Sequence, residues 1–454
     1  MALISKNPAT GEIIGETPEL TIDELDRRLA AAHEAFLSWR ETTVVERTVP
    51  MRKLAGLFRE RAGELGSLAA LEMGKPLAQA TAEAAKCALV CDYYAENAET
   101  FLKPEKAPSD ASESYVRFDP IGTVLAVMPW NFPYWQVARF AAPALMAGNV
   151  GVLKHASNVP RCAAAFGALF VEAGFPEGVF QNLPIGSAMV ERVIRHPGVR
   201  GVALTGSEAA GSSVAALAGS LIKKTVLELG GSDPFIVLAD ADVEAAAKAA
   251  TLARLQNAGQ SCIAAKRFIV VDAAYDAFLA AFANSMGLAK VGDPFDAATT
   301  MGPLSTEGGL RDIERQVKES VEKGARVVIG GKRIGEKGFF YEPTILDGVV
   351  PGMPAYGEEL FGPVAAVIRA RDAEDAIRIA NDTPFGLGSS IWTKDVELAK
   401  ELARRVTAGS VFVNGMVKSD PRLPFGGTGI SGYGRELSRY GMQEFVNVKT
   451  VWIA

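Results

Sequence analysis

Three short stretches of this 454-residue chain carry groups that can act together on a carbonyl: Cys262 in "GQSC", Asn131 in "PWNFP" and Glu228 in "LELGG". Cys262 follows an alanine-rich helical stretch and precedes the apolar run "RFIVV", so its thiol lies between a Gly-Gln-Ser turn and an expected strand. A thiol that attacks a carbonyl needs a lowered pKa, donors for the developing oxyanion and a base for the later hydrolytic step. Asn131 follows the apolar run "TVLAVM", at the strand end where open parallel sheets bind ligands, and its amide can donate to an oxyanion. By itself, an Asn between prolines is also an ordinary turn residue. Glu228 is expected just after a strand, and the two glycines that follow let it swing and let a substrate approach. Alone it reads equally well as a structural carboxylate. A fourth stretch, "LTGSEAAG" at 204–211, ends a strand and opens a helix whose first N–H groups favour a phosphate. It is not the usual GxGxxG, and a single Gly-rich turn is a weak signal.

These groups need a scaffold, and the hydrophobic rhythm supplies one. From residue 123, short apolar runs ("TVLAVM", "NVGVLK", "RGVALT", "PFIVL") alternate with alanine-rich helical stretches, the pattern of a parallel α/β sheet buried on both faces. After residue 231 the rhythm restarts with "RFIVVD", "RVVIGG", "AAVIRA", "SSIWT" and "GSVFVN", which suggests a second α/β domain. The first hundred residues read as helices, one of them opening on a capping box at Thr21 and Glu24. "PSDASESYVRFDPIG" reads as an extended arm, and the tail "EFVNVKTVWIA" as a strand that needs a pairing partner, expected in another subunit.

Bulk properties narrow the function further. A formal charge of −6 gives no reason to expect nucleic acid or an anionic membrane as partner. No apolar run reaches the ~18 residues needed for a membrane span, and the stretch "MALISKNPATGEIIGE", with neither a signal-peptide core nor an Arg-rich bias, is not expected to act as a signal or transit peptide. The four cysteines are scattered rather than arranged as a disulfide framework, and Cys87 and Cys91, four apart on one helix face, read as small buried apolar residues. A cytoplasmic protein is expected. With only three histidines, none near a paired cysteine, no metal site is expected. No GxSxG elbow supports a serine hydrolase.

Taken together and in order, "PWNFP", "LTGS", "LELGG", "GQSC", "EELFGP" (358–363) and "PFGGTGISGYGRE" (424–436) closely resemble the aldehyde dehydrogenase superfamily along the whole chain. The resemblance implies a doubly wound cofactor-binding domain (1–104 and 121–230), an α/β catalytic domain (231–430) and a small β oligomerisation arm (105–120 and 431–454), assembled as a homodimer or tetramer through the C-terminal strand. It makes Cys262 the nucleophile, Asn131 and the Cys262 backbone N–H the oxyanion donors, and Glu228 the base that activates water. Hydride passes to a nicotinamide and a thioester on Cys262 is then hydrolysed to the acid. The cofactor-binding residues it implies are Trp130, Lys154, Ser157, Gly206, Ser207, Glu359 and Phe361, with Lys154 at the adenosine ribose and Glu359 at the nicotinamide ribose.

Departures from the family pattern refine this. Where NAD-using members commonly read "LKPSE", this chain reads "LKHAS", so Ser157 replaces a carboxylate that would repel a 2′-phosphate. NADP is the expected cofactor, with NAD the weaker alternative. Arg139, eight residues after Asn131, resembles the arginine with which succinic semialdehyde dehydrogenases hold the distal carboxylate. The second arginine of that clamp is replaced by Gln256, and Ser419 can supply another bond. Ala264 stands where some relatives keep a second redox-active cysteine. The small-molecule aldehyde is therefore expected to be succinic semialdehyde. The alternatives are a broad aliphatic-aldehyde or lactaldehyde dehydrogenase with a structural Arg139, and a non-catalytic member that the intact Cys262, Asn131 and Glu228 oppose.

Overall fold

The computed structural model describes residues 2–454. It begins with a hairpin, β1 (Ala2–Lys6) antiparallel to β2 (Ile13–Pro18), where only helices were expected. Leu3 and Ser5 alternate with exposed neighbours, a period-two pattern too short to stand out beside the long helices that follow. The Asn7 side chain accepts from the Ala9 N–H at 2.9 Å, and Gly11 takes φ +76° to close the turn. The helix Ile22–Trp39 then opens on the expected capping box, with Thr21 and Glu24 exchanging bonds of 2.8 and 3.3 Å.

After the long helix Leu77–Phe101 the chain enters the arm strands β3 (Glu105–Lys106) and β4 (Glu113–Pro120). It then builds β5 (Thr123–Met128), β6 (Val150–His155), β7 (Phe180–Asn182), β8 (Val199–Thr205) and β9 (Lys224–Glu228). These five are parallel and lie in the order β9-β8-β5-β6-β7. The strand order reverses between β5 and β8, a topological switch point where side chains from both halves of the sheet converge. The expected α/β class with a doubly wound sheet is observed.

A second sheet follows, from β10 (Asp233–Val237), β11 (Ala265–Val271), β12 (Arg326–Ile329), β13 (Thr344–Asp347), β14 (Val364–Ala370), β15 (Gly388–Trp392) and β16 (Ser410–Val413). Its order is β12-β13-β14-β11-β10-β15-β16, parallel except for the edge strand β12. Each sheet has its own apolar core, one drawn from Leu25 to Leu229 with Phe425, Leu437, Met442 and Phe445, the other from Phe235 to Val406.

The last two strands go to different places. β17 (Gly432–Tyr433), expected in the arm, instead pairs antiparallel with β9 beside Glu228. Only β18 (Val446–Ile453) joins the arm, antiparallel to β4 from Val446↔Pro120 to Ile453↔Glu113. The tail strand thus finds its first partner within its own chain, and its other edge stays open with Val448, Trp452 and Ile453 exposed. Among the described residues no helix is long and apolar enough to cross a membrane.

Candidate active site

Four parallel strands, β5, β6, β8 and β9, end at one edge of the first sheet, and the sequence-predicted groups follow directly on those ends. Asn131 lies in the turn after β5, Ser157 after β6, Gly206 and Ser207 after β8, while Glu228 is the last residue of β9 rather than the first beyond it. The turn bearing Asn131 is held from below. Glu83, buried on the helix Leu77–Phe101, accepts from the N–H groups of Tyr134 (2.9 Å) and Trp135 (3.1 Å), capping the start of the helix Trp135–Met146. Its charge is balanced by the buried Lys75, whose ammonium sits 3.9 Å above the Phe132 ring. His155 bonds the Pro133 carbonyl at 2.9 Å, and burial depresses its pKa to about 4, so it serves as a neutral strut.

The loop bearing Cys262 is fixed as firmly. Asn257, Ala258 and Gly259 take φ of 54°, 53° and 74° in succession, a tight left-handed reversal after the helix Val243–Leu255. For Asn257 and Ala258 such backbone costs roughly 1–3 kcal/mol each, offset by the bonds around them. Arg254 donates to the Gly259 carbonyl (2.6 Å), and Asn257 donates to the carbonyls of Asn131 (2.8 Å) and Gln260 (3.0 Å). Lys266, buried in β11, donates to the carbonyls of Ser261 (3.0 Å) and Cys262 (2.7 Å) and pairs with Glu359 at 3.2 Å. Asn131 donates one amide hydrogen to the Gln260 carbonyl at 3.1 Å, which leaves the other for a ligand on the thiol.

Cys262 forms part of the wall of two cavities. One, about 240 Å³, is lined by Trp130, Asn131, Gly206, Ser207, Glu359 and Phe361 among others. Here the helix Glu208–Ser220 presents its N-terminus, capped by the Ser207 hydroxyl, and the Trp130 and Phe361 rings meet edge to face at 5.8 Å. A Cβ on Gly230 would lie 2.0 Å from a Glu208 oxygen and 2.7 Å from a Glu359 oxygen, so a larger residue here would displace both carboxylates. Lys154 and Ser157 stand outside its wall, at the end of β6 and in the exposed turn beyond. The other cavity, about 280 Å³, takes its wall from Phe132, Trp135, Arg139, Gln256, Phe425 and Ser419 among others.

The charges are distributed unevenly. Burial pushes the Cys262 thiol up to about 12, against the pull of Arg139 and Lys266. Glu228 lines neither cavity. Both its oxygens are buried without a hydrogen-bond partner, and a Cβ on Gly426 would lie 2.7 Å from one of them. Burial and the Glu436 carboxylate hold Glu228 well above the usual carboxylate range. Arg139 is buried, ion-paired with Glu436, 3.3 Å from the Thr205 hydroxyl and 4.6 Å above the Phe425 ring.

Lys266, Glu83, Lys75, Gln260 and Glu436 were not picked out from the sequence. The signals existed: a Lys-Arg pair inside the apolar run "AAKRFIVV", and an acid on the alanine face of a helix.

Residues 2–451 match the pattern described as Aldehyde dehydrogenase family, and the chain belongs to that family. Over 457 residues covering 100% of both chains it is 51% identical to a protein of Mycobacterium tuberculosis named succinate-semialdehyde dehydrogenase NADP(+) 1. A Synechocystis protein named probable succinate-semialdehyde dehydrogenase NADP(+) is also 51% identical, with 100% of both chains covered. The crystal structure of succinic semialdehyde dehydrogenase from Streptococcus pyogenes with NADP+ superposes with a TM-score of 0.97 at 40% identity, covering 100% of both chains.

Proposed function

We propose that this protein oxidises succinic semialdehyde to succinate with NADP as the hydride acceptor. The carrying observation is the position of Cys262, shared by a cleft suited to a dinucleotide and a separate small cavity suited to an aldehyde. The relatives' names support the same substrate and cofactor.

In this reading the Cys262 thiol, neutral at rest, gives its proton to water as its sulfur adds to the aldehyde carbon, and the oxyanion lies against the free Asn131 amide hydrogen and the Cys262 N–H. One such donor is worth about 10²–10³ in rate. NADP, when bound, would supply the hydride acceptor. The chain's own groups do the rest. Lys266 holds the Cys262 loop by its carbonyls, Asn257 ties that loop to the Asn131 turn, and Glu228 swings from its place beside Gly426 to take a proton from water. For the cofactor, the residues fit. Gly206, Ser207 and the helix N-terminus suit the pyrophosphate, Glu359 the nicotinamide ribose, and Trp130 and Phe361 the walls. Ser157 and Lys154 at the end of β6 suit a 2′-phosphate, since that turn carries no carboxylate. Arg139, Gln256 and Ser419 form the substrate side.

A broad aliphatic-aldehyde activity is the second reading, favoured by one observation: the Arg139 guanidinium is already paired with Glu436. We further propose a homodimer or tetramer built on the open edge of β18, in a reducing cytoplasm that suits four free cysteines. Reduced-cofactor absorbance with succinic semialdehyde, butanal and lactaldehyde, each with NADP and NAD, tests the function. Equal kcat/KM for butanal and succinic semialdehyde would favour the second reading.

A further inference from the structure

The cations around the substrate cavity are not equivalent. Lys75 is paired with Glu83, Arg139 with Glu436, and Lys418 is exposed. Lys86, on the helix Leu77–Phe101 and three residues beyond Glu83, lines the same cavity and has no ion pair among the described residues. Its ammonium lies 3.9 Å above the Trp135 ring and donates to the Ser419 hydroxyl oxygen at 3.0 Å. The Trp135 indole N–H donates to that same oxygen at 2.8 Å. Two incoming donors occupy the lone pairs of Ser419, so its own O–H must point elsewhere, and it finds no acceptor among the described residues. The cluster thus holds spare ammonium hydrogens and a spare hydroxyl hydrogen, carries a positive charge, and lacks an acceptor. A carboxylate meets all three conditions.

We propose that Lys86 is the specificity-determining cation of this site, its ammonium and the Ser419 hydroxyl together receiving the carboxylate at the far end of the aldehyde substrate. The assignment rests on the succinic semialdehyde reading and deepens it. Arg139, held by Glu436, contributes background potential, and Gln256 a neutral wall at the position of the missing second arginine. Burial and the charge of Arg139 lower Lys86 to about 8, with Cys87, Glu83 and Asp420 acting in the opposite sense. The cation is therefore present below about pH 8 and lost above it, except where a bound carboxylate retains it.

The test compares wild type, Lys86→Met and Lys86→Arg on succinic semialdehyde and butanal at saturating NADP, with melting temperatures as a check on folding. Lys86→Met is expected to lower kcat/KM for succinic semialdehyde by about 10- to 150-fold, chiefly through KM, and to affect butanal far less. Lys86→Arg should recover most of the loss. In wild type, KM for succinic semialdehyde should rise between about pH 7 and 9 while that for butanal does not. Equal losses on the two aldehydes, or an unchanged preference in Lys86→Met, would overturn the role of Lys86. A wild type with no preference for the acid aldehyde would overturn the substrate reading itself, and the assignment with it.

Discussion

The two cavities that share Cys262 are built by different means. The cofactor side is built mostly on short turns at the ends of the adjacent parallel strands β5, β8 and β9, with a helix N-terminus and Gly230 in its floor. The substrate side is made of side chains from the helix Leu77–Phe101, the helix Trp135–Met146, the Cys262 loop and the stretch Met416–Phe425. A site built on strand ends depends on strand register and the turns that follow, so it is written in short local motifs. A side-chain site depends on which charge finds which partner, and partners such as Arg139 and Glu436, or Lys86 and Ser419, lie hundreds of residues apart.

Breaking the shared wall should have the largest effect. Cys262→Ala is expected to lower kcat by more than about 10⁴-fold while calorimetric NADP binding persists, because only the thiol is removed. Substantial residual activity would place the nucleophile elsewhere.

Next comes Glu228, which belongs to neither cavity at rest. Its raised pKa means that the basic form appears only as pH rises, so thioester hydrolysis should accelerate with pH in wild type. Glu228→Gln should slow that step by about 10²–10⁴-fold, flatten the pH dependence and leave a pre-steady-state burst of reduced cofactor. Loss of the burst in step with the steady-state rate would count against the base role.

The cofactor side can be perturbed alone. Ser157→Glu sets a carboxylate against the 2′-phosphate and should weaken NADP binding by more than about tenfold, with NAD binding equal or better. The ratio of succinic semialdehyde to butanal turnover should not move, since the two cavities share only Cys262 and Gln136 and Ser157 stands in neither wall. A changed ratio would show that they are coupled.

The smallest selective effect is expected at Arg139. Arg139→Ala leaves Glu436 buried without its partner, a loss of roughly 3–5 kcal/mol for a broken buried pair. The melting temperature should fall and both aldehydes should suffer alike. A loss confined to succinic semialdehyde, without a drop in melting temperature, would make Arg139 the direct anchor and weaken the contrast drawn with Lys86.

The same difference explains what could be read from the residues alone. The apolar runs of β5, β6, β8, β10 and β11 were visible because strands buried on both faces are nearly all apolar, and the Cys262 turn announced itself by its glycine and small polar residues. β9 was harder to place, because "KTVLE" is short and half polar, which left Glu228 one step outside its strand. The N-terminal hairpin was missed for the same reason of length. Arg139 was found by its position in a motif, but its pairing with Glu436 joins two elements that no local pattern connects. Lys86 sits in the alanine-rich run "AEAAKCALV" and looks like a solvated lysine until Trp135 and Ser419 are brought over it.

The pairing of β18 with β4 sets an order on biosynthesis. β4 leaves the ribosome before either large sheet is made, yet the strand that covers one of its edges is the last of the described elements to be translated. Until then β4 has only the two-residue β3 beside it. The nascent chain therefore carries an uncovered strand edge through most of its synthesis, the kind of edge that invites misassembly. A prematurely terminated chain would never complete this arm, whatever the state of its active site.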